Sequence, residues 1–198
     1  MLKVGITGGI GTGKSLVSRI FEILGVPVYY ADEQAKYLMT ENTSLRESIL
    51  QLAGKDAYNG KSLNRSYLAQ VIFNDPEILK KINSLVHPVV QQDFIEWTKK
   101  QIQASYVIEE AALLFESGVA EEFDHIIVVD APLVLRTERI KKRDGLSEEE
   151  ILNRMNKQIP QSEKVKKADW VIINDEKSLV IPKLIDLHNK FVSLHHRK

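Results

Sequence analysis

The sequence contains no cysteine among its 198 residues. This absence excludes disulfides, thiolate metal sites and cysteine nucleophiles, and because it suits a reducing compartment we expect the protein in the cytoplasm. No run of about 18 apolar residues occurs, so no membrane span is predicted.

Lys plus Arg and Asp plus Glu each total 27, so a uniformly basic surface for nucleic acid or an anionic membrane is not expected. Any basic site must therefore be local.

Short apolar runs alternate with segments of helical spacing along much of the chain. With 43% hydrophobic residues, the composition is that of an ordinary globular protein, and the length predicts one domain. The apolar runs are short enough to be buried parallel strands and lie at 2–7, 26–30, 106–110, 125–130 and 170–173. We therefore predict an α/β fold with a five-stranded parallel sheet and helices on both faces, whose ligands bind at the carboxyl ends of the strands.

Two helical regions interrupt this alternation. The first has helical patterns around 32–39, 44–52, 65–73, 76–86 and 88–103. The second has a helix over 132–143 and then a charged helix in which Ser147 and Glu150 stand at capping-box spacing. We predict a core of 1–31, 105–135 and 168–198, a helical insertion over 32–104, and a charged arm over 136–167.

The stretch GGIGTGKS at 8–15 matches the pattern G-x-x-x-x-G-K-[ST] between a predicted strand and a predicted helix. Glycines let successive backbone N–H groups turn toward a polyphosphate, and the helix N-terminus adds partial positive charge. Lys14 is expected to reach the β and γ phosphates, and the Ser15 hydroxyl to coordinate Mg²⁺. The pattern indicates a P-loop NTPase fold whose ATP-binding residues include Gly9, Gly11, Thr12, Gly13, Lys14, Ser15 and Leu16.

Three other interpretations fit a glycine-rich stretch of this kind. A glycine-rich turn without a ligand is the simplest. A dinucleotide-binding oxidoreductase would use Asp32, about 20 residues on, for the ribose, but Lys14 then stands where the third glycine belongs. A GTP switch would show N-K-x-D and D-x-x-G, and the sequence contains neither. A phosphotransferase is therefore favoured.

A phosphotransferase needs a group that orients the acceptor hydroxyl and cations that neutralise the transferring phosphoryl. Asp32 directly follows the second predicted strand and is a candidate base, although an aspartate there is as often a helix N-cap. Arg136, Arg139 and Arg143 stand at i, i+3 and i+7 on one helical face of the charged arm. Such runs are commonly solvated faces, but their place after a core strand favours a lid over the phosphates.

Five short motifs follow one another along the chain: ITGGIGTGKS at 6–15, YYAD at 29–32, LVHPVV at 85–90, ALLFESG at 112–118 and ADWVIIND at 168–175. In this order they resemble the dephospho-coenzyme A kinase family over essentially the whole chain. ITGGIGTGKS is similar to the family's L-T-G-G-I-G-S-G-K-S, and YYAD at 29–32 falls on its D-A-D. LVHPVV at 85–90 is similar to L-x-H-P, ALLFESG at 112–118 to P-L-L-F-E, and ADWVIIND at 168–175 to A-D-x-V-I-x-N. The arginine series 136–143, together with Gln158, resembles the family's lid.

The resemblance implies ATP-dependent phosphorylation of the ribose 3′-hydroxyl of dephospho-coenzyme A, with Mg²⁺. It implies catalytic roles for Lys14, Asp32, Arg139 and Arg143, and ATP binding by Arg136 and Asn174. The insertion becomes the acceptor domain, and the acceptor-binding residues are Asp32, His87, Leu114, Phe115 and Glu116, although Glu116 equally suits a local cap or ion pair. A kinase of another small metabolite, such as a nucleoside monophosphate, and a nucleotide-gated binding module without an acceptor remain alternatives.

The sequence also departs from the family's pattern at three positions. Tyr30 replaces the first aspartate of D-A-D, which puts any role of that carboxylate in holding magnesium in question. Ala112 replaces a proline, and Leu16 stands where threonine is common.

Overall fold

A computed structural model describes residues 1–195, with the backbone alone at 73, 74 and 76. Its strands, in chain order, are β1 (Leu2–Thr7), β2 (Val28–Tyr30), β3 (Tyr58–Asn59), β4 (Ser62–Leu63), β5 (Tyr106–Glu110), β6 (His125–Asp130) and β7 (Trp170–Ile173). Its α-helices are α1 (Lys14–Ile23), α2 (Ala31–Glu41), α3 (Thr43–Ala53), α4 (Arg65–Asn74), α5 (Pro76–Lys99), α6 (Leu133–Asp144), α7 (Glu148–Met155), α8 (Gln161–Lys166) and α9 (Val180–His195).

Five strands form the predicted parallel sheet in the order β2-β5-β1-β6-β7. The predicted strands are confirmed, although β2 begins at Val28 and is two residues shorter than expected. In the central register, Ile6 of β1 lies opposite Glu110 of β5 and Ile127 of β6. The carboxyl ends of these three strands therefore meet at one edge of the sheet, where the glycine-rich stretch begins.

One face of the sheet is covered by α1 and α9. Alternate residues of β1 point to this face, where they join the buried side chains of both helices in one apolar cluster, including Leu2, Val4, Ile6, Val17, Phe21, Leu184, Leu187 and Phe191. The cluster ends at the amino edge of the sheet in an aromatic group around Phe191, whose ring centroid lies 5.3 Å from those of Tyr106 and His125 and 6.4 Å from that of Trp170. This packing anchors the sheet at the end opposite the glycine-rich stretch.

We expect Phe191→Ala to lower the free energy of unfolding by about 3–5 kcal/mol, because truncating a buried phenylalanine removes apolar burial and leaves a cavity. Phe191 is 0% exposed. Urea unfolding monitored by circular dichroism measures the loss. Ile185→Ala, on the same helix at a side chain 40% exposed, is the control and should cost about 1 kcal/mol or less. Equal losses in the two variants would contradict the aromatic group's structural role.

The chain divides into two compact units, residues 1–30 with 101–198, and residues 31–100. The second contains α2 to α5 and the short β3-β4 hairpin. Where two helices were predicted, at 76–86 and 88–103, one helix runs through Pro88 and ends at Lys99. One apolar stripe of α5 is buried at spacings of four residues, at Ile82, Val86, Val90 and Phe94. The stripe continues past Pro88, although proline has no N–H for the backbone hydrogen bond of the helix.

The predicted charged arm lies in the first unit and contains α6, α7 and α8. Ser147 and Glu150 form the predicted capping box at the start of α7. Gly145 ends α6 in the left-handed conformation, with φ of 68°. Within residues 1–195, no helix has both the length and the apolarity that a membrane span requires.

Candidate phosphate-transfer site

The residues from Gly8 to Ser15, called here the phosphate loop, connect the end of β1 to the start of α1. Gly13 is the residue before α1, and its carbonyl accepts hydrogen bonds from the N–H groups of Leu16 (3.1 Å) and Val17 (3.3 Å). The N–H groups at the very start of a helix have no intrahelical acceptor and carry the positive end of its dipole. The loop therefore presents donors to an anion at this sheet edge.

Two glycines of the loop have conformations and neighbours that exclude a side chain. Gly11 and Gly13 have φ of 83° and 94°, in the left-handed region. A Cβ on Gly13 would lie 2.2 Å from Nδ2 of Asn174, and one on Gly11 would lie 2.7 Å from the carbonyl oxygen of Arg136. Backbone turning and close approach of the surrounding elements thus both require glycine at these positions.

Lys14 and Ser15 lie where the motif predicts. The Lys14 ammonium donates to the carbonyl of Gly8 at 3.0 Å, which folds the side chain back over the loop, and Ser15 is exposed in the first turn of α1. Leu16 follows with a side chain that is 54% exposed. A pocket beside them is lined by Gly11, Gly13, Lys14, Ser15, Arg139, Ile140 and Arg143. The phosphate loop, the start of α1 and the arginine helix α6 therefore all line this pocket.

The three arginines of α6 differ in their surroundings. Arg136 is 7% exposed and its Nε donates to the carbonyl of Ile10 at 3.0 Å. Burial lowers the pKa of its guanidinium, and the charge of Asp130 opposes that change. A solvated surface role is therefore wrong for Arg136. Through this hydrogen bond Arg136 supports the backbone of the phosphate loop.

Arg139 and Arg143 both line the pocket. Arg139 donates to the carbonyls of Gly11 (3.4 Å) and Asn174 (3.1 Å) and pairs with Glu176 at 2.9 Å. Arg143 pairs with Asp144 at 2.7 Å, and this hydrogen bond raises the pKa of Arg143 and lowers that of Asp144. Both guanidinium groups thus lie near the loop with carboxylate partners.

The segment after β7 supports the loop from the other side. Asn174 is 7% exposed, and its side-chain amide donates to the carbonyl of Thr12 at 2.8 Å. The Thr12 hydroxyl, fully buried, donates to the carbonyl of Gly9 at 2.9 Å. Asn174 and Thr12 therefore shape the loop through its backbone. Glu176 has φ of 64°, a conformation that costs a non-glycine residue about 1–2 kcal/mol.

The segment after β5 holds the remaining predicted residues of the first unit. Leu114 is 0% exposed, and a Cβ on Gly5 would lie 2.6 Å from its Cδ1, so in this structure Leu114 is core and offers no surface to a ligand. Glu116 pairs with the fully buried Lys164 at 2.8 Å and accepts from the Ile159 N–H at 3.0 Å. The local ion pair considered for Glu116 is therefore formed. The Lys167 ammonium lies over the ring of Phe115, 5.7 Å from the ring centroid.

The departures at Ala112 and Tyr30 have local explanations. The carbonyl of Ala112 accepts from the Lys164 ammonium at 2.8 Å, and a proline would offer the same carbonyl. Burial, followed by a hydrogen bond to Glu22, raises the pKa of Tyr30 to about 12. Tyr30 therefore stays neutral at physiological pH and does not replace an aspartate's charge.

Asp32 and His87 belong to the second unit. Asp32 is exposed in the first turn of α2, which begins at Ala31. Asp32 therefore lies inside the helix and is not its N-cap, the alternative role predicted for it. His87 lies within α5, beside Pro88, and burial lowers the pKa of its imidazole. At neutral pH this histidine is uncharged.

Sequence reasoning missed Gln161, and linked Gln158 to the site only through the family resemblance. The side-chain oxygens of Gln161 and Gln158 accept from the N–H groups of Gly9 (2.7 Å) and Ile10 (3.0 Å). A single glutamine in a charged segment has no spacing signal, because its partner is more than 140 residues away in the chain. Among the side chains described, no group of three or more His, Asp or Glu is arranged to hold a metal.

Comparison with known proteins gives one consistent result. The sequence model of the dephospho-CoA kinase family matches residues 2–179. A dephospho-CoA kinase of Bacteroides fragilis is 39% identical, over 94% of this chain and 91% of that protein. Among solved structures, TT1252 from Thermus thermophilus has a TM-score of 0.81 at 33% identity, covering 97% of this chain and 96% of that one. Dephospho-CoA kinase from Campylobacter jejuni has a TM-score of 0.71 at 29% identity, covering 96% and 97%.

Proposed function

Because the chain belongs to the dephospho-CoA kinase family, we propose that it transfers the γ-phosphoryl group of ATP to the ribose 3′-hydroxyl of dephospho-CoA, giving coenzyme A and ADP. The observation that carries the proposal is the family match over residues 2–179, which includes a complete phosphate loop at the end of β1. The absence of cysteine suits the reducing cytoplasm, where we propose that the reaction takes place.

In this proposal, the triphosphate lies against the phosphate loop and the start of α1. The backbone N–H groups and the Lys14 ammonium neutralise the β and γ phosphates, and Arg139 and Arg143 meet the transferring group from the pocket's other wall. The present partner of Arg139, the carboxylate of Glu176, gives way to the phosphate. Arg136 and Asn174 contribute through the loop backbone, and Leu16 through its exposed side chain beside the nucleotide.

The residues fit a magnesium ion brought with the nucleotide. Mg²⁺ is commonly bound by few protein ligands together with substrate phosphates and water, and the exposed Ser15 hydroxyl supplies such a ligand at the pocket wall. Bound there, Mg²⁺ would neutralise phosphate charge. No cluster of acidic residues within the described chain is needed for this arrangement.

Asp32 is proposed to accept the proton of the 3′-hydroxyl as its oxygen bonds to the γ phosphorus and the bond to the ADP oxygen breaks. Asp32 is exposed, as a group that must touch substrate has to be. His87 and Phe115 are proposed to bind the acceptor, His87 as a neutral imidazole. Glu116 serves the acceptor side indirectly, because its carboxylate is held by Lys164 and the Ile159 N–H.

An ADP-release assay with a panel of acceptors tests the proposed reaction. We expect turnover with dephospho-CoA and rates at least about 10³-fold lower with AMP, CMP or water, because a kinase is specific through the binding energy of its correct acceptor. Mass spectrometry should find the new phosphate on the ribose of the product. Comparable turnover with a nucleoside monophosphate would favour the other small-metabolite kinase, and ATP binding without any turnover would favour the binding module.

A further inference from the structure

Two N–H groups of the phosphate loop are held by glutamines of the charged arm. The Gly9 N–H donates to Oε1 of Gln161 at 2.7 Å, and the Ile10 N–H donates to Oε1 of Gln158 at 3.0 Å. Gln158 lies between α7 and α8, and Gln161 is the first residue of α8. Side chains of the charged arm therefore help to orient the first two peptide groups after Gly8, together with Thr12 of the loop itself, whose N–H and hydroxyl both donate to the Gly9 carbonyl.

Gln161 does more than accept this bond. Its Nε2 donates to the carbonyl of Val129, near the end of β6, at 3.0 Å. One amide thus bridges the phosphate loop after β1 and the neighbouring strand. To make both hydrogen bonds, a side chain must have the length of glutamine and carry both a donor and an acceptor. Methionine has a similar length and supplies neither strong bond, so it is an informative substitution at both glutamines.

The segment that carries the glutamines is itself tied to a third strand end. The Ile159 N–H donates to Glu116, and the buried Lys164 pairs with Glu116 and donates to the carbonyl of Ala112, in the segment that follows β5. Residues 158–164 therefore contact the ends of β1, β5 and β6. A buried ion pair with this geometry restricts where both glutamine side chains can lie.

The carbonyls of the same loop are held by a second set of side chains. Arg136, Arg139 and Asn174 donate to the carbonyls of Ile10, Gly11 and Thr12 in turn. With its outward N–H and C=O groups satisfied by side chains, the loop has little freedom to rotate its peptides. The N–H groups farther along, toward Lys14, are then preoriented toward the phosphates, which is the arrangement that electrostatic catalysis requires.

We propose that Gln158 and Gln161 are positioning residues for ATP: they lock the first peptides of the phosphate loop so that the later N–H groups converge on the triphosphate. The inference rests on the proposed function only in that ATP is the ligand. It predicts that loss of either glutamine weakens ATP binding while leaving the acceptor site and the fold unchanged. It also predicts faster exchange of the loop N–H groups before any nucleotide binds.

The variants Gln158→Met, Gln161→Met and the double variant test this inference, with Gln103→Met, at an exposed glutamine outside the arm, as the matched control. We expect Gln158→Met to raise the ATP KM and the Kd for a non-hydrolysable ATP analogue about tenfold, the effect of one lost hydrogen bond. Gln161→Met, which loses two hydrogen bonds, should raise both at least as much. The acceptor KM and kcat should change less than about twofold, and Tm should fall by about 2–4 °C for each hydrogen bond lost. Hydrogen exchange in peptides covering residues 5–16 should be faster without nucleotide.

Analogue binding equal to or tighter than that of the unchanged protein would overturn the inference, and tighter binding would mean that the glutamines compete with phosphate. A large fall in Tm with parallel rises in both KM values would also overturn it, leaving a structural role alone. Analogue binding and hydrogen exchange need no acceptor. If the unchanged protein fails to phosphorylate dephospho-CoA while the variants lose analogue binding, the proposed function fails and the positioning role stands.

Discussion

Lys14→Ala is expected to reduce kcat by about 10³-fold or more while the protein stays folded. The ammonium lies 3.0 Å from the Gly8 carbonyl of the phosphate loop, and it lines the pocket with Arg139 and Arg143. Removing a charge that stabilises the transferring phosphoryl costs about 10²–10³ for a single donor and more for a full positive charge. Lys14 begins α1 and is not part of the apolar cluster, so folding does not depend on it.

Steady-state ADP release with saturating ATP and dephospho-CoA measures the loss, and a thermal melt checks the fold. Lys141→Ala is the control, because Lys141 is an exposed lysine of α6 that does not line the pocket. Its kcat should stay within about twofold of the unchanged protein. Near-normal turnover in Lys14→Ala would remove this residue from the site.

The second large effect is expected at Asp32. We expect Asp32→Asn to lower kcat by about 10²–10⁴-fold, because an amide cannot accept the hydroxyl proton. Affinity for the ATP analogue should be largely kept, since in the proposed function the phosphates are held by the loop and not by this carboxylate. The test is a comparison of kcat with analogue Kd on the same preparations.

Glu33→Gln provides a matched control for Asp32→Asn. Glu33 is the neighbouring exposed acid in the same first turn of α2, so both variants lose one negative charge at the same helix end. If Asp32 serves only the helix, the two variants should show equal small losses of stability and equal, near-normal turnover. Loss of turnover confined to Asp32→Asn supports the proposed base.

Much of the fold was predictable because its signals are local. The runs at 2–7, 106–110, 125–130 and 170–173 have the bounds of β1, β5, β6 and β7, since buried parallel strands are short continuous apolar segments. The capping box of Ser147 with Glu150 was likewise a spacing within one turn. The helix break predicted at Pro88 was wrong. Burial of the apolar stripe of α5 stabilises the continuous helix by more than the loss of one backbone hydrogen bond at Pro88 destabilises it.

The site was predictable to the extent that it is a motif. Lys14 and Ser15 are found at the pocket wall, and Arg139 and Arg143 line the same pocket, as helical spacing indicated. ATP binding by Arg136 stays a prediction, and its side chain is buried with Nε bonded to the Ile10 carbonyl of the phosphate loop. Leu114 was expected at the acceptor and is fully buried against Gly5. Periodicity identifies a face of a helix, but the depth to which each side chain on it is buried depends on the neighbouring elements.

By itself, the sequence determined the five strands of the parallel sheet, the phosphate loop and the family, because each is encoded in contiguous residues whose chemistry acts over a few positions. Only the tertiary structure decided which groups support the loop. Gln158 and Gln161 meet it across 148 and 152 positions of the chain, and Asn174 across 162. Hydrogen bonds are satisfied by whatever groups folding brings within about 3 Å, and no local pattern records that proximity.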